Sequence, residues 1–124
     1  MLDSGAKVVL DAKTCDAFNA WAAENYDSRY LMKDCVAGED ETCYYHTLNT
    51  PTVALVNEKL GKKFTVSYSG DTLPVFLEWK SMASGDYALG LEPCTSKIGE
   101  ETVMQPLKAG ASVRFTVDLT VEKI

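Results

Sequence analysis

The sequence predicts an all-β, antiparallel β-sandwich with at most one short helix, and three observations carry that reading. Apolar residues recur at every second position in short runs, the period of a strand with one face buried. Gly, Pro, Asn and Asp punctuate those runs at turn-like intervals. The longest clean alternation runs from Ser112 to Val121, where Val113, Phe115, Val117, Leu119 and Val121 share one side.

In chain order, Ala6 to Leu10 is a short β-branched strand. From Asp11 to Asp34 the pattern loosens. Phe18, Trp21, Ala22 and Tyr26 fall at helical intervals with Asp16 as a cap, but Asn25, Asp27 and Ser28 dilute the stripe, so one short helix is expected in a long excursion. Such a loop either forms a rim or lid or covers the sheet with Trp21 and Tyr26 as plugs. Glu41 to Leu48 is an aromatic-rich strand, and Pro51 is expected to end it because proline cannot donate to a central ladder. Further strands are predicted at Thr52 to Val56 and Lys63 to Tyr68, then in a hairpin from Leu73 to Pro93, and last at Ser112 to Val121, seven in all.

The bulk properties bound the function. A chain of 124 residues with 46% hydrophobic and 24% charged content is expected to be a single domain, 1–124, with its own core. A net charge of -6 disfavours nucleic acid and anionic membranes, since both select clustered Lys and Arg. No run approaches the roughly 20 apolar residues of a membrane span, and the start lacks a signal-peptide pattern, so a cytoplasmic protein is expected. Cys15, Cys35, Cys43 and Cys94 are then expected to be reduced thiols. Cys43 and His46 form half of a zinc pattern, but strand alternation sends them to opposite faces, so no metal and no cofactor is predicted.

Phosphate-loop, nucleophile-elbow, metalloprotease and dinucleotide motifs are absent, and there is a single histidine. Paired carboxylates are the proton-transfer option that remains, and they converge in the hairpin. Val75, Leu77 and Trp79 alternate with Phe76, Glu78 and Lys80; Tyr87, Leu89 and Leu91 alternate with Ala88, Gly90 and Glu92. If the two apolar sets share one core, Glu78 and Lys80 lie on one face with Glu92, over a floor kept low by Ala88 and Gly90. That face would suit a small polar ligand.

Five words, Glu41 to His46, Asn57 to Gly61, Leu73 to Lys80, Gly85 to Pro93 and Leu107 to Gly110, together resemble the C-terminal part of an uncharacterised aldose 1-epimerase-like family. It is one of the domain-of-unknown-function groups in the galactose mutarotase-like superfamily. The most specific piece is Trp79-Lys80 followed by Gly85-Asp-Tyr-Ala-Leu-Gly-Leu-Glu-Pro93. The resemblance implies an antiparallel super-sandwich holding a sugar, with residues 1–124 as its C-terminal portion. It also implies an isomerase activity, aldose mutarotation by general acid and base, with Glu92 as the base that takes the anomeric hydroxyl proton.

The acid in such proteins is a histidine in a tyrosine-histidine-asparagine motif expected before a stretch like Leu2 to Lys7, so the constellation is expected to be incomplete in this chain. Where relatives tend to have glutamine before Trp79 and Gly-Asn after Glu-Pro, this chain has Glu78 and Cys94-Thr95. By the same resemblance His46 is a sugar ligand or a structural histidine, Trp79 a stacking platform or a core residue, and Glu78 and Lys80 hydroxyl ligands or strand charges. The partner predicted is a small carbohydrate. A non-catalytic carbohydrate-binding module and a structural fragment are the alternatives, and exposed sheet surface is expected to drive homo-oligomerisation.

Overall fold

The computed structural model describes residues 1–99 and 104–124. Its strands are β1 (Lys7–Ala17), β2 (Thr42–Asn57), β3 (Lys62–Tyr68), β4 (Val75–Ala83), β5 (Asp86–Cys94) and β6 (Val117–Lys123), all in one antiparallel sheet. One short helix, α1 (Ala20–Glu24), and a 3₁₀ turn at Tyr26–Ser28 complete the regular structure among the described residues. The all-β class with one short helix is as the sequence predicts. The cap differs: Asn19 Oδ1 accepts from the Ala22 N–H at 2.8 Å, while Asp16 belongs to β1.

β2 is the spine. β1 runs along one of its edges, from Lys7 opposite Val56 to Ala17 opposite Tyr44. The other edge is divided. Its first half pairs with β4, Thr42 opposite Lys80 to His46 opposite Phe76, and its second half pairs with β3, Thr52 opposite Ser67 to Asn57 opposite Lys62. β5 extends the first wing and β6 the second.

This hand-over explains why the predicted break at Pro51 does not occur and two expected strands are one. β4 reaches only to His46 and β3 begins at Thr52, so Pro51 sits in the gap between ladders, where no N–H is required. β1 shifts register over the same stretch. At the other extreme, the Ser112 to Val121 alternation becomes a strand only from Val117.

The inner face carries the core, with Val8, Val53, Leu55, Val66 and Phe76 buried beside Met32 and Met82. The excursion after β1 lies on this face and is fastened to it. Tyr44 donates to the carbonyls of Ala22 (3.0 Å) and Asn25 (3.2 Å), Tyr87 to that of Lys33 (2.6 Å), and the Lys33 N–H reaches Met82 Sδ at 3.3 Å. The excursion therefore covers the sheet. Ala22 and Met32 are its fully buried plugs, while Trp21 and Tyr26 are half-buried. The second wing is less well covered. Val117, Leu119 and Val121 point to the inner side yet are 48%, 65% and 61% exposed. Between them and Leu89 and Leu91 opens an apolar trough of about 240 Å³. Among the described residues no helix is long and apolar enough to cross a membrane.

Candidate functional site

The turn between β4 and β5 decides which side chains meet. Ser84 and Gly85 form a two-residue connection, with Gly85 at φ +86°, and Ala83 is thereby set opposite Asp86. Every later pair follows: Leu77 faces Glu92, Glu78 faces Leu91, Trp79 faces Gly90 and Lys80 faces Leu89. Directly opposed residues share a face of the sheet. The expected grouping of Glu78 and Lys80 with Glu92 is therefore corrected: the hairpin register sends them to opposite sides. The inner face tolerates polar residues because they find partners there, so Tyr87, Leu89 and Leu91 pack with Phe76, Glu78 and Lys80.

On the inner face, His46 Nε2 donates to Glu78 Oε2 at 3.1 Å, and both side chains are 0% exposed. The imidazole lies between the rings of Tyr30 and Phe76, with centroids 5.8 and 6.0 Å away. Lys80, 1% exposed, donates through Nζ to the carbonyls of Ser28 (3.0 Å), Arg29 and Leu31 (3.4 Å). Burial pulls its ammonium down to about 8, against the neighbouring Glu78 charge, which holds it up. Burial, with Glu78 adding to it, pushes the Tyr44 phenol up to about 12. These groups are closed off from solvent. His46, Glu78 and Lys80, expected as substrate ligands, are instead a polar knot that ties the excursion to the sheet.

The outer face is open. Glu92 is exposed there, folded back over Gly90 so closely that a Cβ at Gly90 would collide with Glu92 Oε1. Trp79, opposite Gly90, is half-buried, and its indole N–H donates to Glu41 Oε2 at 2.8 Å. Together they make a shelf of one carboxylate, one indole edge and a floor without a side chain. Cys43 lies opposite Trp79 on the same face, its thiol pushed up to about 11 by burial first and by the charges of Glu41 and Glu92 next. It is thus a poor nucleophile. As alternation requires, Cys43 and His46 are on opposite faces, and all four cysteines are free thiols.

Beyond the shelf, Phe18 packs edge-on to Tyr45 (6.1 Å), the Ile98 N–H donates to the Tyr45 hydroxyl (3.0 Å), and Lys97 pairs with Asp16 (2.6 Å). The segment after β5 thus closes one end of the outer face. Reading the apolar pattern alone could not find this division of faces. The length of the Ser84-Gly85 turn was the signal that could have.

The fold has a counterpart among solved structures. The chain superposes with a TM-score of 0.60 and 20% identity on a solved structure from Klebsiella pneumoniae subsp. pneumoniae MGH 78578, provisionally assigned as an aldose 1-epimerase. The match covers 66% of this chain and 23% of that one, so the chain spans about a quarter of the length of its structural relative. A comparison with curated proteins finds no match. The chain belongs to the family described as a domain of unknown function, DUF4432, whose sequence profile matches residues 1–121.

Proposed function

We propose that this chain is a carbohydrate-binding, aldose 1-epimerase-like unit whose sugar site is the outer shelf. Glu92 is the base that removes the proton from the anomeric hydroxyl, and Trp79 is the surface against which the ring rests. The observation that carries the reading is the exposed Glu92 carboxylate lying over Gly90, directly across from Trp79. A flat, side-chain-free floor lets a pyranose approach a carboxylate edge-on, and an indole favours the C–H face of a sugar.

Proton transfer by one positioned side chain contributes about 10²–10⁴-fold. As Glu92 takes the hydroxyl proton, the ring C–O bond breaks and the ring oxygen takes up a proton. Rotation of the carbonyl and re-closure then give the other anomer. The single histidine of the sequence is locked against Glu78, so within this chain the ring oxygen has water as its acid.

Polarimetric mutarotation of several aldoses tests this. Catalysis above background that falls to background in Glu92→Gln is the expected result. A rate equal to background, or one untouched by the substitution, overturns the catalytic reading. If sugars still quench tryptophan fluorescence in a saturable way, and Trp79→Phe abolishes that, the non-catalytic binding module stands in its place.

A further inference from the structure

One element further along the outer face, where the ends of β4 and β5 meet the segment leading into β2, lies a second cleft that the sugar shelf does not use. It has a volume of about 420 Å³, and its walls include Trp21, Glu39, Asp40, Glu41, Ser81 and Asp86. No lysine or arginine lines it, and among the described residues none of its acids is in a salt bridge.

Two polar groups in its wall lack partners. Ser81 is 1% exposed, and its hydroxyl has no hydrogen-bond partner among the described residues. Glu39 Oε2 is buried and equally without a donor. Buried polar atoms are normally paired, so an acceptor and a hydroxyl left unpaired on two residues that line one cleft mark a place where a donor belongs. Trp21 supplies the third requirement. Its indole is held in the wall by a 3.0 Å bond from Nε1 to the Asp40 carbonyl, which fixes a π surface beside the carboxylates.

The geometry points to a binding site for a small organic ammonium ligand in this cleft. The ammonium donates to Glu39 and to Ser81, and Asp86 and Asp40 supply the field that concentrates cations there. Trp21 contributes the cation–π contact that selects an organic amine. A metal ion is the less suited occupant: among the described residues no three His, Cys, Asp or Glu side chains converge as a metal would need. An amino sugar and a polyamine share the recognised group. The inference does not depend on Glu92 or on mutarotation.

Isothermal titration calorimetry with glucosamine, spermidine, glucose and N-acetylglucosamine tests it. Saturable one-to-one binding of glucosamine, spermidine or both is expected, weakened tenfold or more in the Glu39→Gln/Asp86→Asn variant and several-fold in Ser81→Ala. Glucosamine alone identifies an amino sugar, and spermidine alone a polyamine. Absence of saturable amine binding overturns the inference, as does N-acetylglucosamine binding as tightly as glucosamine. Amine binding unchanged in both variants overturns it too, since it would then reflect only the net negative charge. Circular dichroism of the variants shows that they fold, and Ser81→Ala, which removes one oxygen atom, keeps the test valid if the double variant does not. Glucose binding or mutarotation with no amine response refutes the cleft and leaves the sugar shelf standing. The reverse pattern does the opposite.

Discussion

His46 Nε2 and Glu78 Oε2 are 3.1 Å apart with neither side chain reachable by solvent, on neighbouring strands and on the same inner face as Phe76 and Tyr44. Such a pair is costly to form and more costly to break. Removing one partner strands the other, and a buried polar group left unpaired typically costs about 1–3 kcal/mol, more if it is charged. Glu78→Leu and His46→Ala are each expected to lose stability on that scale in urea unfolding. The His46→Phe/Glu78→Leu double variant, which removes both polar groups and keeps the volume, is expected to recover most of the loss. Additive losses in the double variant would refute the coupling.

Lys80 gives the knot a pH signature. Its folded-state value is lowered to about 8 from 10.5, chiefly by burial. Between those values the unfolded chain binds more protons than the folded one, so the Lys80 contribution to stability rises as pH rises through that window. The stability of the wild type minus that of Lys80→Met is therefore expected to increase from pH 7.5 to pH 10, with flanking thiols and phenols cancelling in the difference. A difference that stays flat or falls over that range contradicts the account.

Gly90 tests the outer shelf without removing its carboxylate. Its φ is not positive, so alanine is acceptable to the backbone, but the new methyl would occupy the space where Glu92 Oε1 now lies. Glu92 is exposed and flexible and can swing aside, so Gly90→Ala is expected to change stability by less than about 1 kcal/mol. Any mutarotation or sugar binding is expected to fall tenfold or more. Unchanged activity would mean that the carboxylate position over Gly90 is irrelevant.

The fold class was legible because period-two alternation is strong in β3, β4 and β5, and because local turn residues mark their ends. The site was legible in its parts and not in its assembly. Glu92, Trp79, Glu78, Lys80 and His46 all lie in one wing of the sheet, but which of them meet depends on a single unit of register. Matching apolar sets gave one answer, and the two-residue turn gave the other. The turn prevails because the buried polar residues each take a partner remote in sequence, His46 for Glu78 and the carbonyls of residues 28, 29 and 31 for Lys80. Those partners lie 32 and about 50 residues away, beyond any local pattern. The continuity of β2 through Pro51 was hidden for a similar reason, since it depends on where two other strands stop.

The uncovered trough between β6 and the β5 leucines predicts self-association. Two routes are open to a sheet of this kind, pairing along an edge or packing of one apolar face on another. The edge of β6 is guarded by Asp118, Glu122 and Lys123, and charges on an edge strand oppose a further strand. The face is unguarded: Val117, Leu119 and Val121 stand exposed next to Leu89 and Leu91, and such contiguous apolar surface is seldom left in water. Face-to-face association is therefore expected, with a mass above that of the monomer in light scattering at high concentration. Leu119→Lys places a charge in the centre of that face and is expected to return the protein to a monomer, whereas Asp118→Lys, on the other side of the same strand, is not. A monodisperse wild-type monomer, or equal effects of the two substitutions, would overturn the prediction.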